Sequence, residues 1–176
     1  RSVIALIRRN KNQTKLAQNR ASANKLDGSK EIESFSKRDI LIAGAALYWA
    51  EGYKRTKYRD GRALTSHAVS LTNSDPDIIK TFLRFLREYC NVPEEKIKAS
   101  IRIFQHHNQE TLLRFWQGVT KIRSKNFGKT FYGVSKSSLG KRPFNRLPYG
   151  VIQIIVADTK LFHRIMGHIE GIKRFV

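Results

Sequence analysis

Within the segment from Lys96 to Phe104, apolar and polar side chains alternate strictly as far as Ile103. The apolar residues are at the odd positions, Ile97, Ala99, Ile101 and Ile103. The polar residues are at the even positions, Lys96, Lys98, Ser100 and Arg102. Successive side chains of a β-strand point to opposite faces of the sheet, so the segment predicts a strand with one apolar and one basic face. A chain with such a strand must cover the apolar face with other elements, and it leaves the cationic face open.

Helical patterns on both sides of this strand supply the covering elements. Asp75-Pro76 is typical of a helix start, because Asp caps the first amides and Pro suits the first helical position. Further helices are predicted over residues 37–51, over 109–119 and after a capping Asp158, and further strands over 65–72, 130–136 and 149–157. This order predicts an α+β fold in which helices cover one face of an antiparallel or mixed sheet.

Residues 1–36 differ in character from the rest of the chain. They are polar and basic, with no apolar stripe after Ile7, and they predict an exposed helix that ends near Asp27-Gly28. We therefore divide the chain into a basic helical extension and linker, residues 1–36, and one folded domain, residues 37–176.

The chain carries 34 Lys or Arg and 14 Asp or Glu, a formal net charge of +20. Residues 37–176 hold 26 of these cations and 11 of the acids, a net of +15. Eight cations and no acid lie between Lys121 and Arg146, and five cations against one acid, Asp60, lie between Tyr53 and Leu64. Two such strips indicate a polyanionic partner, for which duplex DNA is our first expectation, and the charge is also compatible with RNA.

Cys90 is the only cysteine, which excludes an internal disulfide and a Cys-rich zinc site. The apolar run in the first residues is too short for a signal peptide, and no stretch approaches the length of a membrane span. We expect a cytoplasmic, nucleoid-associated protein with no membrane contact.

The segment GAALYWAEGYK, residues 44–54, combines small residues with a carboxylate at its end. Ala43, Ala46 and Ala50 share one helical face, which suits close packing against a second helix or against the protein's own sheet. Glu51 lies where the helix dipole is negative, so its carboxylate either is satisfied by Lys54 or Arg55 or has a functional role.

Residues 44–52, GAALYWAEG, resemble the signature of the LAGLIDADG homing endonucleases. The residues that match are Ala45, Leu47, Ala50 and Gly52, with Glu51 in place of the final aspartate and Ala46 in place of the glycine. Gly44 and Tyr48-Trp49 depart from the signature. The family's helix-strand-strand-helix-strand-strand-helix order fits residues 37–174 with one helix near 109–119 added. Residues 165–171 lack a small face, so we count one motif, which implies a homodimer.

The resemblance implies a saddle-shaped sheet on duplex DNA, and a helix that pairs with its copy through Ala43, Ala46 and Ala50. It also implies metal-dependent hydrolysis of phosphodiester bonds, with Mg²⁺ or another divalent cation held by Glu51 and Gly52. Glu51 and Lys98 are the expected catalytic residues. The expected nucleic-acid contacts are Lys54, Arg55, Lys57, Arg59, Arg62, Lys96, Lys98, Arg102, Lys136, Lys141, Arg142 and Arg146. The alternative is a nucleic-acid-binding protein of the same fold without cleavage, either a transcription regulator or an RNA- or ribosome-associated protein.

Overall fold

The computed structural model describes residues 2–55, 57–64, 66–104, 107–133 and 147–176. The chain divides into two compact units, residues 1–36 and residues 37–176. The first unit holds one helix of 29 residues, α1 (Ser2–Lys30), and its described side chains are all exposed. The helix continues past the predicted end at Asp27-Gly28, because a glycine inside a helix costs only about 1 kcal/mol relative to alanine.

The second unit combines helices with short strands. Its helices are α2 (Lys37–Glu51), α3 (Pro76–Arg84), α4 (Gln109–Thr120) and α5 (Thr159–Lys173), and a π-helical segment, Phe85–Tyr89, extends α3. Its strands are β1 (Lys57–Arg59), β2 (Arg62–Leu64), β3 (Val69–Asn73), β4 (Ile97–Ile103), β5 (Phe131–Tyr132) and β6 (Val151–Val156). The predicted α+β class is confirmed.

Four of the strands form one mixed sheet in the order β3-β6-β4-β5. The central strand β6 is antiparallel to both neighbours, while β5 runs parallel to β4. The predicted alternation along β4 is confirmed, because its apolar side chains are buried and Lys98 and Arg102 are exposed. The buried side chains of β3, β4 and β6 form one core with α2 to α5, and its largest fully buried members include Trp116, Tyr48 and Phe82.

A separate two-stranded hairpin, β1-β2, follows the end of α2. Its turn is Asp60-Gly61, and both residues have positive φ angles, 50° and 74°, as a tight hairpin turn between right-twisted strands requires. Before the hairpin, Gly52 pairs with Leu71 of β3 in an isolated antiparallel bridge. The segment after α2 therefore touches the edge of the four-stranded sheet before it enters the hairpin.

The strand predicted over residues 65–72 begins later than expected, at Val69. Residues 66–68 are not in a strand, because the backbone of His67 bonds to the Thr159 hydroxyl at the start of α5, with both distances 3.2 Å. The His67 ring also stacks on Phe162, with 4.5 Å between ring centroids. The side chains of α5 thus replace a strand partner at this position.

Helix capping follows the sequence signals. The carboxylate of Asp75 accepts from the amides of Asp77 and Ile78, and that of Asp158 accepts from the amide of Leu161. Pro76 occupies the first position of α3 as predicted. Among the described residues, no helix has the length and apolar character needed to cross a membrane.

Helix α2 buries Ile40, Gly44, Ala45 and Tyr48 against the π-helical segment, α3 and α5. A Cβ atom at Gly44 would overlap the ring of Phe85, so this position requires a residue without a side chain. The small residues of α2 therefore serve its own core on one face, where the main partners are helices and β3 makes a smaller contact.

Candidate nucleic-acid interface

The end of α2 is held to the edge strand β3 by backbone contacts. Glu51 is the last residue of the helix and its side chain is exposed, whereas Gly52 is buried. The amide of Gly52 donates to the carbonyl of Tyr48 at 2.8 Å, and the amide of Tyr53 donates to the carbonyl of Ser70 at 2.8 Å. The exposed carboxylate therefore lies at a rigid junction between helix and sheet.

Tyr48 is the internal anchor of this junction. Its hydroxyl donates to the carbonyl of Tyr53 at 2.9 Å. Burial raises the pKa of Tyr48 to about 12, against an opposing effect of a hydrogen bond with the Ser70 backbone. A Cβ atom at Gly52 would lie 2.5 Å from the carbonyl oxygen of Tyr48, so the close approach of the two residues depends on the glycine.

Lys54 turns back onto the end of the helix. Its ammonium donates to the carbonyl of Gly52 at 2.6 Å and to the carbonyl of Tyr48 at 3.2 Å, and lies 5.8 Å from the centroid of the Tyr48 ring. Burial lowers the pKa of Lys54, and the negative charge of Glu51 opposes that shift. A cation at this place stabilises the negative end of the helix dipole, for which the last turn of α2 has no basic residue of its own.

The residues expected to hold a divalent cation do not fit one in this arrangement. The carbonyl oxygen of Gly52 already accepts a short hydrogen bond from an ammonium group, and a second cation at the same oxygen would be repelled by it. Of the two expected metal ligands, the Glu51 carboxylate is the one that does not accept this hydrogen bond from Lys54. Among the residues that the structure describes, no three His, Cys, Asp or Glu side chains lie close enough together to hold a metal ion by side chains alone.

We call the sheet face that carries Lys98 and Arg102 the outer face. Both side chains are exposed, and they belong to the same strand, β4. In the strand register, Lys98 is opposite Ile155 of β6, which in turn is opposite Ser70 of β3. With about 4.8 Å between neighbouring strands, the Lys98 backbone lies roughly 10 Å from that of Ser70, beside which α2 ends. Lys98 is therefore on the same face as the Ser70 side chain, two strands away from the sheet edge at which α2 ends.

Between β4 and the junction, the outer face carries uncharged side chains, some polar and some apolar. Gln153 donates from its amide to the Ser70 hydroxyl at 2.9 Å. A cavity of about 270 Å³ opens here, lined by Tyr53, His67, Ala68, Ser70, Gln153 and Ile155. None of these residues is among the predicted contacts, because each lacks the charge on which that prediction relies.

The remaining predicted contacts that the structure describes lie at the hairpin and in the turn before β4. Arg55 and Arg62 are exposed at and beside the hairpin, and Lys57 and Arg59 lie on β1. Lys96 precedes β4 in a 3₁₀ turn, where its ammonium is 4.0 Å from the carboxylate of Asp158. The other four, Lys136, Lys141, Arg142 and Arg146, lie outside the described residues.

The cationic strip that begins at Lys121 is exposed in its described part. Its exposed cations are Lys121, Arg123, Lys125 and Lys129. The strip leads into β5, where Phe131 and Tyr132 are 53% and 61% exposed, and Phe131 is opposite Arg102 in the register. The charge pattern of the sequence does not reveal these aromatic side chains, just as it does not reveal the uncharged residues that line the cavity.

The three alanines expected at a dimer contact do not share one environment. Ala46 and Ala50 are exposed, and Ala43 is half-buried. Ile42 and Trp49 are exposed beside them, 46% and 40% respectively, and the ammonium of Lys173 lies 5.6 Å from the Trp49 ring centroid. We call Ile42, Ala46, Trp49 and Ala50 the apolar stripe of α2.

A comparison of the chain with protein-family models, curated proteins and solved structures finds no match.

Proposed function

We propose that the protein binds duplex DNA as a homodimer of the LAGLIDADG type, with the outer face and the hairpin against the phosphates. The observation that carries the proposal is the separation of charge within residues 37–176. None of the six described strands contains an acidic residue. Lys98, Arg102, Arg55 and Arg62 all belong to the sheet or the hairpin segment, and they take part in no ion pair within 4.0 Å among the described residues.

Six acidic residues of 37–176 form ion pairs among the described residues, and none of the six lies on a strand. The ion pairs of the described part of residues 37–176 join residues of the helices or of the turns beside them, such as Lys80 with Asp77 and Arg84 with Glu88. Cations without acidic partners are free to contact phosphates, and such contacts give most of the non-specific affinity of a protein for duplex DNA. The shape is also suitable, because a two-stranded ribbon fits the major groove of B-form DNA.

The homodimer in this proposal rests on the apolar stripe of α2. Ala46 and Ala50 have no side chain beyond a methyl group, so a second helix can approach the backbone closely there. Ile42 and Trp49 would supply the apolar area that such a contact buries. The same face placed against its copy gives a two-fold contact, the commonest symmetry of homo-oligomers.

The experiment that tests the proposed function compares ligands of equal length by fluorescence anisotropy. We expect tighter binding to duplex DNA than to duplex RNA, because the deep, narrow major groove of A-form RNA does not admit a β-ribbon. Equal or tighter binding to duplex RNA would favour the RNA-associated alternative, and absence of binding to either duplex at low salt would contradict the proposal.

Cleavage of the bound duplex is a second candidate function, favoured by one observation. Glu51 is exposed directly after the apolar stripe, so two copies whose α2 helices paired in parallel would bring two carboxylates together. The bond from Lys54 to the Gly52 carbonyl argues against a divalent cation at this position, and we therefore place binding first. Incubation of a supercoiled plasmid with and without Mg²⁺ separates the two, because metal-dependent nicking that Glu51→Gln abolishes would establish cleavage.

A further inference from the structure

The oxygen atoms at the end of α2 form a ready-made set of ligands for a cation. The carbonyl oxygens of Tyr48 and Gly52 converge on one point, and the carboxylate of Glu51 contributes negative charge to it. Carbonyl and carboxylate oxygens are the ligands that hard divalent cations prefer. The atom at that point is instead the Nζ of Lys54, supplied by the same chain.

The position of this ammonium follows from the backbone. Gly52 leaves the helix directly into the bridge with Leu71, which leaves its carbonyl oxygen without a helical partner. Lys54 follows two residues later, within reach of both carbonyls. Its ammonium lies over the ring of the fully buried Tyr48, 5.8 Å from the ring centroid.

We propose that the Lys54 ammonium is the resident cation of the α2 terminus, excluding a divalent ion and fixing the start of the hairpin to the helix without metal. Lys54 is thus a positioning residue rather than a phosphate contact. The part of this inference that concerns DNA rests on the proposed function. In that part, the protein binds duplex DNA equally well with Mg²⁺ and with a chelator at matched ionic strength, because the hairpin is held by the protein itself.

The first test needs no nucleic acid. Mn²⁺ binding to the free protein is measured by electron paramagnetic resonance for the parent, Lys54→Met and Arg55→Met. Lys54→Met keeps the apolar stem and removes the ammonium, and Arg55→Met removes the same charge from the neighbouring exposed position. We expect saturable Mn²⁺ binding only in Lys54→Met, and its loss when Glu51→Gln is added. The same weak, unsaturable binding in both single variants would overturn the proposal.

The parent protein provides a second test that does not depend on the folding of any Lys54 variant. Saturable Mn²⁺ binding by the parent that Glu51→Gln removes would also overturn the proposal, since the ammonium would then not exclude the ion. For duplex DNA, we expect that Mg²⁺ changes the affinity of Lys54→Met but not that of the parent. A parent that binds no duplex would contradict the proposed function and leave the Mn²⁺ measurements as the test of the resident cation.

Discussion

At the scale of single residues, α2 shows how small side chains serve two purposes in one helix. Gly44 and Ala45 are buried, and Gly44 lies so close to Phe85 that no side chain fits there. Ala46, one residue further on, is exposed because a step of one residue turns the helix by about 100°. The close packing that a run of small residues predicts is therefore used inside the domain, and the outward-facing part remains available to a partner.

Replacement of Gly44 by alanine tests the inner face. The added Cβ would overlap the Phe85 ring, so we expect Gly44→Ala to lower the free energy of unfolding by about 1 to 3 kcal/mol. Gly167→Ala in α5 is the matched control, because a Cβ there meets no atom within 4 Å. Alanine is the better helix former, so the control should gain up to about 1 kcal/mol. Equal effects in chemical denaturation would contradict the packing described here.

His168 predicts a dependence of stability on pH. Its Nδ1 is buried and has no hydrogen-bond partner in the described part of the chain. Burial lowers the pKa of His168 below its ordinary value of 6.5, and the charge of Arg164 lowers it further. The unfolded chain therefore takes up the proton first, so the free energy of unfolding should fall as the pH drops below 6.5 toward the folded pKa.

The measurement is chemical denaturation at several pH values. His168→Gln should weaken the fall in stability, whereas His163→Gln, an exposed position on the same helix, should leave it nearly unchanged. A parent protein whose free energy of unfolding does not fall below pH 6.5 would contradict a lowered pKa of His168.

At the scale of elements, the sequence predicts most helices and the strongest strands correctly. The caps at Asp75 and Asp158 are local signals and mark the starts of α3 and α5. The alternation in β4 depends only on burial of one face. The late start of β3 depends on Thr159, more than ninety residues away in sequence, so no local pattern predicts it.

The candidate site is predicted only in part, for the same reason. Charge and small size indicate which residues face outward, and Lys98, Arg102 and Ala46 do so. The charge pattern of the sequence places Lys54 among the phosphate contacts. The sequence also allows the alternative that the Lys54 ammonium neutralises the carboxylate of Glu51. Its bonds to two carbonyls depend on how Gly52 leaves the helix, and that path is set by pairing with β3.

The apolar stripe of α2 makes a prediction about assembly. A larger side chain at Ala46 would hold two paired helices apart, so Ala46→Leu should weaken the dimer by about 1 to 3 kcal/mol. Thr111→Leu is the control, since it adds the same exposed side chain on α4, outside the stripe. Sedimentation equilibrium measures both. A parent that stays monomeric with DNA, or an Ala46→Leu protein as dimeric as the parent, would exclude this interface.

At the scale of the whole molecule, the net charge of +20 matters less than where its acids lie. The described strands hold none, and the acids that form ion pairs are on or beside the helices. A protein that needed charge only for solubility would have no reason to separate them in this way. The described strands therefore carry cations without neighbouring acids in the same strands, and the proposed DNA contact depends on the outer face that carries Lys98 and Arg102.

The most direct test is the salt dependence of duplex binding in two double variants with the same net charge. Lys98→Gln with Arg102→Gln removes two cations from the outer face, and Lys80→Gln with Arg84→Gln removes two from α3. We expect the first pair to weaken binding and to reduce the slope of log affinity against log salt by about 0.9 for each phosphate that the protein no longer neutralises. The second pair should keep the slope of the parent. Equal weakening in the two double variants would show that total charge determines binding, and would contradict the proposal that the outer face contacts the DNA.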